Sequence, residues 1–281
     1  MTLSPHLVST AWLAERLGDP ALAIVDGSWH LPPTGRNGRQ EYRDAHIPGA
    51  LFFDIDTIAD TTSGLPHMLP NAAHFAEAVG ALGISNEMTI VVYDGAGLFS
   101  APRVWWTFRQ FGAERVFILD GGFPAWVKEG RPTVSGETER PRRVFLAKGP
   151  EHGVASADEV QAALDSGAVQ VIDARPADRF RGEAPEPRPG VRSGHMPGSL
   201  NLPFPQVLAD GRLANPAAIA AAFTAAGTDL DKPIITSCGS GVSASILALA
   251  LESIGKPVQA IYDGSWAEWG SDPKRPIAPD R

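Results

Sequence analysis

The sequence predicts an α/β protein made of two tandem copies of one domain, each a mainly parallel sheet flanked by helices. Short apolar and β-branched runs alternate with stretches of helical length along nearly the whole chain. The series also occurs twice. Leu22-Ala23-Ile24-Val25-Asp26 is matched by Val169-Gln170-Val171-Ile172-Asp173, and Ala45-His46-Ile47-Pro48-Gly49-Ala50 by Ser193-Gly194-His195-Met196-Pro197-Gly198-Ser199. Finally, 281 residues suffice for two domains that each bury a core.

The elements follow in order. Ser9 or Thr10 caps a helix through Leu17, and Leu22 to Asp26 forms a buried strand. After a long loop, Asn71 opens a helix to about Leu82, and Thr89 to Tyr93 forms the next strand. Asp94-Gly95-Ala96-Gly97 turns the chain into a helix, Arg103 to Phe111, with Pro102 in its first turn. Val116 to Leu119 and the Gly121-Gly122-Phe123 turn complete the unit. Residues 1–135 are therefore the first domain, and 136–153, rich in Arg, Pro and Gly, are a linker with an edge strand around Val144 to Leu146. In the second domain, 154–281, Ser156 caps a helix to about Leu164, and the strand Val169 to Asp173 follows. A helix from Pro216 to Ala226, a strand Ile234 to Ser237, a helix Ser243 to Ile254 and a strand Val258 to Tyr262 complete it.

Composition excludes several functions. Lys and Arg number 24 against 32 Asp and Glu, a net charge of −8 that argues against nucleic acid as a partner. No apolar run reaches membrane-spanning length, and the N-terminus lacks a basic start and apolar core, so the cytoplasm is the expected compartment. A single cysteine allows no internal disulfide, so an oxidised or sulfur-loaded Cys238 must be resolved by an external thiol.

That cysteine lies in Cys238-Gly239-Ser240-Gly241-Val242-Ser243-Ala244, a glycine-rich turn between a strand and a helix. Backbone N–H groups of such a turn, with those of the following helix start, form an anion-binding nest that favours a thiolate. A Cys-based phosphatase would need an Arg where Ala244 stands, and a Walker loop would need a Lys. A thiolate in an uncharged loop suits attack on a soft sulfur centre. The equivalent turn of the first copy carries Asp94, a poor soft nucleophile, so the chemistry belongs to the second copy and the first is non-catalytic. Trp105, Trp106, Trp126, Trp266 and Trp269 are expected in the core, and His46 and His195, in repeated His-x-Pro-Gly settings, are expected to brace loops. His67 alone reads as a surface histidine and Asp56 as a turn or cap residue. The cysteine and histidines have no zinc spacing.

The Cys238 to Ala244 loop, Gly194-His195-Met196-Pro197-Gly198, Asp263-Gly264-Ser265-Trp266, Phe52-Phe53-Asp54-Ile55-Asp56 and His67-Met68-Leu69-Pro70 resemble signatures of the rhodanese superfamily of sulfurtransferases. The loop and Arg179-Phe180-Arg181-Gly182-Glu183-Ala184-Pro185-Glu186-Pro187-Arg188 are similar to its mercaptopyruvate-using branch, except that Ser243 stands where a Thr is usual. The resemblance covers nearly the whole chain and implies tandem rhodanese-like domains. It implies sulfur transfer from 3-mercaptopyruvate through a Cys238 persulfide to a thiol, cyanide or thioredoxin-like acceptor, without metal or organic cofactor. Arg179 and Arg188 would bind the keto acid. Gly239, Gly241, Val242 and Ser243 would line the loop, and Ser240, His67 and Asp56 would handle protons. Arg181 is expected to be solvated. Thiosulfate as donor, and a non-catalytic interaction module, remain the alternatives.

Overall fold

The computed structural model describes residues 4–150 and 152–278, which form two units. The first gathers residues 4–60, 69–150 and 210–213, and the second residues 61–68, 152–209 and 214–278. Residues 61–68 thus leave the first half of the sequence for the second unit, and residues 136–150, expected as a linker, belong to the first.

Each unit holds a five-stranded parallel sheet. In the first the order across the sheet is Leu7–Val8, Val116–Leu119, Thr89–Tyr93, Leu22–Asp26, Ala50–Phe52. In the second it is Gly153–Ala155, Ala260–Tyr262, Ile234–Ser237, Gln170–Asp173, Leu200–Asn201. The same order with the same direction twice is what the duplicated pattern predicts. Thr89–Tyr93 and Ile234–Ser237 are the central strands, with Asp94 and Cys238 just past their carboxyl ends, where open parallel sheets place their ligand sites.

The central strands are buried because β-branched residues fill both faces: Ile90, Val91 and Val92 are wholly buried, as are Ile234 and Ile235 to within a few per cent. The helix after each loop is buried too. Ala244 to Leu251 are wholly buried in the helix Ala244–Ser253, whose sequence ASILALALES is apolar on every side. Its counterpart Ala101–Gln110 starts with Pro102, whose missing N–H costs nothing in a first turn. Outer helices are capped as the sequence suggests. Asn71 accepts from His74 N–H, and Ser156 with Glu159 forms a reciprocal capping box.

Several short elements depart from expectation. The first helix is Thr10–Ala14 and stops before Leu17, while the long loop holds a helix Gly38–Asp44 and a strand Ala50–Phe52. No strand forms around Val144 to Leu146. Phe145 is buried beside Phe75 and Phe108, with Val144 and Leu146 turned to solvent, so this segment packs through one aromatic ring without a ladder. The tryptophans Trp105, Trp106, Trp126, Trp266 and Trp269 are buried, as expected. The paired histidines do brace their loops: His46 Nδ1 donates to Tyr42 C=O at 2.7 Å and His195 Nδ1 to Phe180 C=O at 2.9 Å, each ring stacked on that aromatic.

Candidate active site

Cys238 leaves the central strand of the second unit and is 2 % exposed. Gly241 takes φ +80°, a left-handed bend open to glycine, and lets the loop close before the helix Ala244–Ser253 begins. Ser265 Oγ accepts hydrogen bonds from the Cys238 N–H at 3.2 Å and the Gly241 N–H at 3.1 Å. Cys238 C=O accepts from Trp266 N–H at 2.9 Å, so the loop is held on both backbone edges.

The first unit shows what such a loop binds. Asp94 turns its carboxylate into its own loop, accepting from the N–H groups of Ala96 (2.8 Å), Phe99 (2.7 Å), Ser100 (2.9 Å) and Ala101 (2.8 Å). Aligned from Asp94 to Cys238, these positions become Ser240, Ser243, Ala244 and Ser245. In the second unit the N–H groups of Ser240, Ser243 and Ala244 meet no acceptor among the described residues. The same cradle is therefore saturated by a carboxylate in one unit and open beside a thiol in the other.

Two guanidiniums flank the open loop. A Cβ placed on Gly239 would lie 3.4 Å from Arg179 Nη2 and 4.0 Å from Arg188 Nη1. Arg188 Nη2 donates to Ser240 Oγ at 3.4 Å, and His67 Nδ1 lies 3.0 Å from the same oxygen. Arg can only donate, so Ser240 Oγ accepts from Arg188, and its hydroxyl can either give its proton to His67 Nδ1 or accept one from it, depending on which ring nitrogen of His67 carries hydrogen. His67 is 5 % exposed and holds φ +62°, strain of a kind that clusters at functional sites. It reaches Ser240 because residues 61–68 belong to this unit; the isolated sequence reads it as a surface residue.

Behind Arg179 lies a buried charge network that sequence reasoning did not find. Glu186 bonds both Arg179 and Arg175, and Arg175 also bonds Asp173 and Gly194 C=O and stacks over the Trp266 ring at 4.3 Å. Burial opposes the Arg175 charge, but Asp173 and Glu186 outweigh it and push its pKa above the usual value. Every charge of this network is paired, which a buried set requires. Arg181 points outward to Glu183, as expected. The only sequence signal for Glu186 is its place between the two arginines.

Val242 is buried and Ser243 half-buried, both continuing the loop into the helix. Asp56 belongs to the first unit, where its Oδ2 accepts from Trp29 Nε1 at 3.2 Å. Among the described residues no three His, Cys, Asp or Glu side chains are grouped to hold a metal ion, and no helix is long and apolar enough to cross a membrane.

The rhodanese-like domain family matches the chain twice, over residues 9–129 and 156–272. The chain is 45% identical to the 3-mercaptopyruvate sulfurtransferase of Rattus norvegicus, over 94% of this chain and 91% of the relative. It is 47% identical to the thiosulfate sulfurtransferase of Cricetulus griseus, again over 94% and 91%. In structure it is similar to the Escherichia coli 3-mercaptopyruvate sulfotransferase SseA, with a TM-score of 0.87, 42% identity and coverage of 93% of this chain and 98% of that one.

Proposed function

Since the chain belongs to the rhodanese-like family and is a sulfurtransferase, we propose that it moves sulfur from 3-mercaptopyruvate through a persulfide on Cys238 to a thiol or cyanide acceptor, releasing pyruvate. The observation that carries this is the open N–H cradle around Cys238, whose first-unit copy is filled by a carboxylate. A cradle that binds an anion in one unit suits a thiolate, and then the outer sulfur of a persulfide, in the other.

In the first half-reaction the Cys238 thiolate attacks the donor sulfur. A sulfur–sulfur bond forms, the carbon–sulfur bond breaks, and its electron pair leaves on carbon as the enolate of pyruvate. The donor carbon gains two electrons, and the Cys238 sulfur and the transferred sulfur each give up one, so no outside redox partner is needed. Ser240 passes its proton toward the enolate and takes one back from His67 when Nδ1 of that ring carries hydrogen. Asp56 enters as the carboxylate the resemblance implies for this relay, and Asp56→Asn tests that role. In the second half-reaction the acceptor attacks the outer sulfur and Cys238 leaves as thiolate. The cytoplasm, where free thiols abound and a lone cysteine stays reduced, suits this cycle.

Arg179 and Arg188 orient the donor. A planar keto acid offers carboxylate and keto oxygens to two guanidinium forks at the loop, which fixes its sulfur near Cys238. The same two cations also favour the second reading, thiosulfate as donor: the loop itself is uncharged, yet the site is not, and a thiosulfate sulfurtransferase stands among the relatives. Glu186, bonded to Arg179, offsets part of that positive charge and weighs against a dianion. The deciding measurement is steady-state turnover of both donors with one acceptor, for wild type and Cys238→Ser. We expect a higher kcat/KM for 3-mercaptopyruvate and no turnover in the variant. Preference for thiosulfate would overturn the donor assignment, and an active Cys238→Ser the mechanism.

A further inference from the structure

Ser265 is a wholly buried residue with φ +50°, a left-handed backbone that a side chain enters only under strain. Its first-unit counterpart is Gly122, at φ +56°. The match is fixed by the next residue in each unit: Phe123 N–H bonds Asp94 C=O, and Trp266 N–H bonds Cys238 C=O. At Gly122 a Cβ would lie 2.6 Å from Asp94 O and 2.7 Å from Gly97 O, so no side chain fits there. The second unit has opened the same corner and placed a hydroxyl in it.

All the bonding capacity of that hydroxyl is used. It donates to Tyr262 C=O at 2.7 Å and accepts from the N–H groups of Cys238 and Gly241. The N–H groups it takes differ from those that, by comparison with Asp94, face the cradle, namely Ser240, Ser243 and Ala244. Ser265 therefore ties down the N–H groups of Cys238 and Gly241 and leaves those of Ser240, Ser243 and Ala244 for sulfur.

We propose that Ser265 is a positioning residue for sulfur transfer, which fixes the Cys238 backbone and the orientation of the loop N–H groups without touching the substrate. The inference rests on Cys238 being the nucleophile. A hydroxyl lost from this corner frees the loop to shift, and small displacements of a nucleophile cost rate more than binding.

The test uses Ser265→Ala, Ser265→Gly and Cys238→Ser in the full chain. It follows single-turnover persulfide formation, kcat and KM with 3-mercaptopyruvate and with thiosulfate, and thermal melting. Alanine keeps the backbone strain, whereas glycine relieves it, so the two variants differ in stability while both lack the hydroxyl. We expect both to lose about tenfold to a hundredfold in kcat and in persulfide formation, with KM nearly unchanged. The loss should be the same for both donors and should not follow the melting temperatures. Wild-type turnover in Ser265→Gly, or activity that falls in Ser265→Ala alone in step with its stability, overturns the positioning role. An active Cys238→Ser overturns the nucleophile assignment, and this proposal with it.

Discussion

Asp26 ends the strand Leu22–Asp26 with its carboxyl buried, and burial, with Asp94 adding repulsion, pushes its pKa from 3.8 up to about 6 despite hydrogen bonds from Ser28. Below pH 3.8 the folded and unfolded chains both hold this proton. Between pH 3.8 and about 6 only the folded chain keeps it, so this group's contribution to stability falls as pH rises and stays low above that range. The full penalty at neutral pH is about 3 kcal/mol. Asp26→Asn keeps an acceptor for Ser28 N–H and removes the charge. In urea unfolding at pH 4 and pH 7 the variant should gain more stability over wild type at pH 7; an equal gain at both would show that Asp26 does not titrate in this range. At the same scale, the chemistry of Cys238 was legible because a lone cysteine between glycines at a strand-to-helix turn states its own surroundings. The chemistry of His67 was not, because its partner Ser240 is 173 residues away.

Elements were legible where periodicity runs long enough to separate helix from strand. Thr89–Tyr93, Val116–Leu119 and Ile234–Ser237 lie where the apolar runs place them, and the helix after Cys238 differs by a single residue at each end. The helices Gly38–Asp44 and Ala177–Phe180 escaped notice because one or two turns in charged, glycine-rich segments show no apolar stripe. The segment around Phe145 misled for a different reason. Val-Phe-Leu reads as strand, yet only the middle residue has a place to go, and the backbone of Leu146 pairs with the Asn86 side-chain amide. Phe145→Ala should therefore cost about 3 to 5 kcal/mol in urea unfolding, while Val144→Thr should cost less than about 0.5 kcal/mol. Equal effects of the two would mean that the segment does not contribute to the first core.

For the whole molecule, duplication gave two sheets of one topology and two loops of opposite fate. The first loop is closed by Asp94, whose carboxylate satisfies four backbone N–H groups that would otherwise be left without an acceptor. Asp94→Ala should lower stability by on the order of 3 kcal/mol or more in thermal or urea unfolding, since each buried donor left unpaired carries its own penalty. Because this loop is assigned no chemistry, alkylation of Cys238 by iodoacetamide should keep its wild-type rate to within about twofold in folded Asp94→Ala, as for substitutions that share no partners. A tenfold change would contradict the assignment of the first unit as non-catalytic.

The sequence by itself determined the alternation of strand and helix, the duplication, and the turn that carries the nucleophile, because each is written in residues adjacent along the chain. Tertiary structure decided which side chains serve that turn. Residues 61–68 cluster with the second unit and bring His67 to Ser240, Glu186 and Arg175 hold Arg179 against Gly239, and Ser265 bonds the loop from 27 residues beyond Cys238. No local propensity encodes these contacts. They depend on burying cores that close only when segments far apart in the chain are packed together, and the polar groups trapped there must then find one another.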